Sequence, residues 1–195
     1  MKRVFVLAAV ALFATAPAFA AETPKAPSAE QQAMMEKMTK AATPGPQHEM
    51  LKKMAGEWNA TVTLQMDPAQ PPEVEQSTST ITVVMDRYCQ EVVTGQMMGQ
   101  PFSGMGLTGY DNVLGKYVST WIDNMGTGIM MSEGDYDPAT KTFTYTGEIE
   151  MIPGMKQKIR EVVKITDKDH MDFEYYEERG GKEMKTMEIA YTRKK

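Results

Sequence analysis

From Trp58 onward the chain alternates. Trp58, Ala60, Val62, Leu64 and Met66 take the even positions, and Asn59, Thr61, Thr63 and Gln65 the odd ones. A period of two describes a strand with one wet face and one buried face. The pattern recurs to the end of the chain. Phe143, Tyr145, Gly147 and Ile149 alternate with Thr142, Thr144, Thr146 and Glu148, and Met171, Phe173 and Tyr175 with His170, Asp172 and Glu174. Met187, Ile189, Tyr191 and Arg193 share one face of the last such segment, and Ile81, Val83 and Met85 one face of the second. The alternation predicts ten strands, near 57–67, 73–86, 88–97, 100–110, 115–123, 128–136, 141–151, 155–166, 169–179 and 182–193.

The breaks between them carry turn chemistry, among them "DPAQPP", "DNVLGK", "DPATK", "IPG" and "RGGK". Most are short, so consecutive strands are expected to pair as antiparallel hairpins. Ten strands in a row leave vulnerable edges unless the sheet closes, which favours an all-β, antiparallel up-and-down barrel over a two-sheet sandwich. Helical periodicity is confined to the front. Ser28 and Gln31 form a capping box before "AEQQAMMEKMTKAA", and "TPGP" ends that helix. A second short helix is predicted over "QHEMLKKMAG", with Leu51 and Met54 inward and Gly56 as its stop.

The first twenty residues read differently. Lys2 and Arg3, the apolar run "VFVLAAVALFA" and the small residues of "AFA" are the three parts of a secretory signal peptide, with cleavage expected before Ala21. The run is shorter than the roughly twenty apolar residues a membrane span needs. The expected organisation is a signal peptide over 1–20, a proline-bearing leader over 21–27, a helical segment over 28–55 and a barrel over 56–195. The mature protein is then exported, to a periplasm in a Gram-negative host. Loss of Lys2 and Arg3 takes the net charge from −5 to −7. So acidic a chain is repelled by nucleic acid and anionic lipid, and neither is an expected partner. With Cys89 as the only cysteine, no internal disulfide forms, and a small buried thiol is expected there.

Three stretches, "HEMLKKMAGEW", "FSGMGLTGYDNVLGKYVSTWIDNMGTG" and "EGDYDPATKTFTYTG", resemble the DUF1579 family of uncharacterised bacterial proteins, over roughly residues 46–193. That family is similar to the calycins, the barrel group of lipocalins, fatty-acid-binding proteins and haem-binding nitrobindins. Gly56-Glu57-Trp58 matches the G-x-W motif that opens the first lipocalin strand. The resemblance implies a calycin-like barrel and carries no reaction.

The candidate chemistry is that of a binding protein. Tyr110, Trp121, Phe143, Tyr145, Phe173 and Tyr175 are the candidate pocket aromatics, for a small apolar molecule held inside the barrel. The alternative is a filled barrel that serves as an envelope scaffold through its outer face and leading helix. Haem would need an inward histidine on a late strand, and parity places His170 outside. Cu(I) would need clustered sulfurs. The 19 methionines include adjacent pairs such as Met97-Met98 and Met130-Met131, whose side chains point to opposite faces of a strand. No motif calls for a catalytic nucleophile, a metal or another cofactor. Glu161 is expected inward, paired with an arginine, and Asp111, Asp123, Asp135 and Asp137 are expected to shape turns. Closing the barrel makes first and last strands neighbours, so Arg193 is expected to lie over Trp58 and seal one end, as a basic residue does in lipocalins. No pattern sets an oligomeric state.

Overall fold

The computed structural model describes residues 26–195; the predicted signal peptide and all but the last two residues of the leader lie outside the described residues. The chain divides into two compact units, one up to Lys37 and one from Met38 onward. In the first, helix α1 (Ala29–Ala42) begins with the capping box: the Gln31 amide donates to Ser28 Oγ at 3.2 Å and the Ser28 amide to Gln31 Oε1 at 2.8 Å. No residue of α1 is buried, so the helix rests on capping and propensity rather than on packing.

The second unit holds the end of α1, helix α2 (Pro46–Lys52) and ten strands: β1 (Gly56–Leu64), β2 (Glu73–Val84), β3 (Tyr88–Met97), β4 (Gln100–Asp111), β5 (Lys116–Asp123), β6 (Met130–Asp137), β7 (Thr142–Ile152), β8 (Met155–Ile165), β9 (His170–Arg179) and β10 (Lys182–Arg193). Each strand pairs antiparallel with its sequence neighbours, and β1 pairs with β10, so the sheet is a closed up-and-down barrel. Closure leaves no open edge. The turns rest on the expected aspartates. Asp111 Oδ1 accepts from the Val113 and Leu114 amides, Asp123 Oδ1 from Met125, and Asp137 Oδ1 from Ala139, at 2.7–3.1 Å. Asp135 instead pairs with Lys116 across the wall at 2.5 Å.

Helix α2 plugs one end. His48 and Leu51 are buried, and Leu51 packs with Trp58, Ala60, Ile81, Cys89, Tyr117, Phe143 and Tyr145 in one core. The helix stops at Lys52, four residues before Gly56. Gly56 does not end it; at φ +147° it opens β1 and clears a path, since a Cβ there would sit 2.1 Å from Arg193 Nη1. Arg193 crosses that gap, its guanidinium carbon 4.0 Å from the centroid of the Trp58 ring. It donates to the carbonyls of Ala55 (2.6 Å), Lys53 (3.1 Å) and Lys168 (2.8 Å). Trp58 donates its indole N–H to the Met54 carbonyl at 3.0 Å. One side chain therefore ties the exit of α2, the β8–β9 turn and β1 together, at the ends of strands that no hairpin joins.

The outer wall is polarised. On β7–β10 it carries cross-strand ion pairs, including Lys156–Glu148 (2.8 Å), Arg160–Glu183 (2.7 Å) and Lys185–Glu174 (2.9 Å). On β2–β5 most outward positions are threonine, glutamine and apolar residues, with exposed Val92, Met105, Leu107 and Ile122 in register across neighbouring strands. Val83 and Met85 depart from expectation. Ile81 is buried, but Val83 is exposed near the end of β2, and Met85 lies past that end, 78% exposed, in a turn with φ +52°.

Candidate functional site

Strand pairing places all six candidate aromatics on the inner face, in two groups. Tyr110, Phe143 and Tyr145 sit toward the α2 end. Tyr110 stacks edge-on against Tyr117 at 4.9 Å and against His48 at 5.8 Å, and Phe143 meets Tyr117 (4.9 Å) and Tyr136 (4.5 Å). Phe143 and Tyr145 are buried in the core, and Tyr110 and Tyr136 pack against it partly buried. Burial, with Tyr110 and Tyr136 nearby, pushes the Tyr117 hydroxyl up to about 12. It pushes the Cys89 thiol, which donates to the Leu51 carbonyl, up to about 11. A thiol so placed is inert at neutral pH.

In the second group Trp121 and Tyr175 face the interior outside the packed core, while Phe173 packs against the edge of that core; all three keep partial exposure. Trp121 stacks on Phe102 at 6.5 Å and 17° and donates to Asp123 Oδ2 at 2.9 Å. It fits because Gly104 and Gly106 lack side chains beneath it: a Cβ at Gly104 would lie 2.3 Å from the indole. Phe173 pairs with Val163 and Ile189, and Tyr175 with Glu161 and Met187, all inward-facing and all but Glu161 partly exposed.

Between the groups the interior is more polar than expected. Glu161 is buried and accepts from Ser132 Oγ at 2.6 Å; the expected arginine is not its partner. Glu91 faces inward from β3 and accepts from Ser79 Oγ at 2.6 Å, with the Tyr191 hydroxyl against it. Burial raises both carboxyls above the ordinary glutamate value. Burial and the neighbouring carboxylates likewise raise the Tyr145, Tyr175 and Tyr191 hydroxyls. Glu91 has a sequence signal, its parity with Cys89 and Val93, but a carboxylate in a strand is ordinarily assigned to water. The polar neighbours that admit it, Ser79 and Tyr191, come from other strands.

Other sequence candidates fall outside this region. His170 is exposed and paired with Asp167 at 3.0 Å on the outer side of the β8–β9 turn. Among the described residues no group of three or more histidine, cysteine or carboxylate side chains is arranged to hold a metal ion. Two concavities, of about 440 and 240 Å³, lie against the wall at β8–β10 and at β5–β7, and none of the six aromatics lines either.

Comparison with known proteins agrees with this geometry. Fourteen chains of solved structure match. Rv2717c from M. tuberculosis matches with a TM-score of 0.61 at 14% identity, over 78% of this chain and 100% of that one. At that identity the likeness is one of fold. A redesigned β-barrel matches with a TM-score of 0.40 at 13% identity, over 79% of this chain and 100% of its own, too low to carry an argument. No curated protein matches. The model of the family described as "Protein of unknown function (DUF1579)" matches residues 43–193, from just before α2 to the end of β10, and the chain belongs to that family.

Proposed function

We propose that this protein is an exported barrel that binds a small, mainly apolar molecule in the half of its interior away from α2, without catalysing a reaction. One observation carries the reading. Trp121, Tyr175 and Met187 face inward, keep partial exposure and lie outside the packed core, while Leu51, Trp58, Phe143 and Tyr145 are buried within it. An apolar lining with a few fixed polar groups is the usual make-up of a small-molecule site. Glu161, Ser132 and the Tyr175 hydroxyl supply those groups here.

A neutral hydrophobic dye is expected to quench tryptophan emission saturably. The Phe173→Ala, Tyr175→Ala double variant should weaken that binding at least fivefold. Quenching that never saturates, or that the double variant leaves unchanged, would favour a filled barrel. Native mass spectrometry of protein recovered from its own compartment would identify a retained molecule. Export is tested separately: sequencing the mature chain should return Ala21 first, and material starting at Met1 would refute the signal-peptide reading.

The apolar patch on the outer wall of β3–β5 favours a second reading, a scaffold that docks a partner there. Exposed Met105, Leu107 and Ile122 on adjacent strands are the observation behind it.

A further inference from the structure

Two buried oxygens in the barrel have no hydrogen-bond partner among the described residues: Glu75 Oε2 and Ser77 Oγ. They belong to successive inward positions of β2, at the end away from α2. The other Glu75 oxygen accepts from the Gly99 amide in the β3–β4 turn at 2.9 Å, which holds the carboxylate in place. Ser77 is 7% exposed and leans over Gly95, where a Cβ would lie 2.1 Å from its hydroxyl oxygen. Across Gly95 comes Phe102, and on Phe102 stacks Trp121. Four neighbouring strands thus carry, in order, an anionic oxygen with a hydroxyl, a glycine whose side-chain space that hydroxyl fills, and two stacked rings.

Two other carboxylates at this end are satisfied. Glu177 is held by Arg179 at 2.7 Å and by Gln157 at 3.0 Å. Both Asp123 oxygens are taken, by the Trp121 indole and the Met125 amide. Glu75 has no cationic side chain within ion-pair distance among the described residues. A buried acceptor without a donor is costly, and a carboxylate oxygen on the same inner wall as two stacked rings suits one ligand chemistry in particular, an organic cation with N–H donors. A bare hard cation fits poorly, because calcium takes six to eight oxygens.

Resting on the interior-binding reading above, we propose that the open half of the barrel recognises a small organic ammonium ion. Its N–H groups donate to Glu75 Oε2 and Ser77 Oγ, and its apolar body lies along Phe102 and Trp121.

The test is calorimetric titration of the full mature chain at pH 7 with benzylammonium, its neutral analogue benzyl alcohol, and benzoate, with tryptophan emission followed in parallel. Benzylammonium is expected to bind at least tenfold more tightly than benzyl alcohol, and benzoate most weakly. Glu75→Gln keeps the shape and removes the charge; it should bring the affinities for benzylammonium and benzyl alcohol within about twofold of each other. Ser77→Ala should weaken benzylammonium several-fold, and this variant stands in if Glu75→Gln fails to fold by circular dichroism. Equal binding of benzylammonium and benzyl alcohol, or a full ammonium preference surviving in Glu75→Gln, would overturn the proposal and leave the interior-binding reading intact. No saturable response to any of the three probes would overturn both.

Discussion

Replacing Trp58 by alanine is expected to lower the free energy of unfolding by about 3–5 kcal/mol, the range for truncating a large buried aromatic. Trp58 is among the most buried side chains described, and its ring is the surface on which Arg193 rests. Arg193→Ala should cost about 2–3 kcal/mol, because the cation–π contact is worth roughly 0.5–2 kcal/mol and charge-assisted hydrogen bonds to carbonyls add to it. The two losses should not be independent. A double-mutant cycle read by urea denaturation is expected to return a coupling of about 0.5–2 kcal/mol. Additivity within about 0.3 kcal/mol would mean that the two side chains contribute separately and that the stacking itself does nothing for closure. Arg193→Lys should recover only part of the loss, since an ammonium cannot serve three carbonyls and a ring face together.

The second large effect is a dependence on pH. Glu91 and Glu161 both titrate above the ordinary glutamate value in the folded chain, because burial penalises the charged form more than their serine partners favour it. A carboxyl whose folded pKa is raised binds its proton more tightly in the folded than in the unfolded chain. Its contribution is therefore fully present below the unfolded value, near 4.5, and is lost as pH rises through the folded value. A tenfold difference in proton affinity between the two states is worth about 1.4 kcal/mol for each carboxyl. Glu91→Gln and Glu161→Gln imitate the protonated acid. Each is expected to match the parent protein near pH 4 and to exceed its stability at pH 8. Urea denaturation at the two pH values checks this. A Glu91→Gln variant that is less stable than its parent at pH 8 would show that the ionised carboxylate is itself held by the interior.

The alternation that announces the strands is a local property. Side chains at i and i+2 share a face whatever the partner strand is, so Phe143, Tyr145, Phe173, Tyr175 and Trp58 are placed inward from their own neighbours in the chain. Turn residues then set where strands end; the breaks at "DNVLGK", "DPATK" and "RGGK" coincide with turns in the structure. Short turns impose antiparallel order, and the cost of open edges argues for closure. Strand number, facing and barrel topology were therefore legible without coordinates.

Depth along the barrel and contacts across it were not. Parity assigned Val83 to the inner face, but it lies near the end of its strand and is exposed. The six aromatics looked alike in sequence, yet Phe143 and Tyr145 are buried in the core that Leu51 of α2 joins, while Trp121 and Tyr175 stay partly exposed outside it. The inward turn of Glu91 and Glu75 ran against the default assignment of carboxylates to water. Whether an ionisable group is tolerated inside depends on hydroxyls, amides and gaps supplied by strands remote in the chain. Ser79 and Tyr191 for Glu91, and the Gly99 amide for Glu75, are such partners. The sequence by itself determined the ten-stranded wall and the alternation of faces along each strand, because these follow from spacing along one strand. The tertiary structure alone decided which end is filled and which polar groups the interior holds, because these depend on side chains that closure brings together from opposite walls.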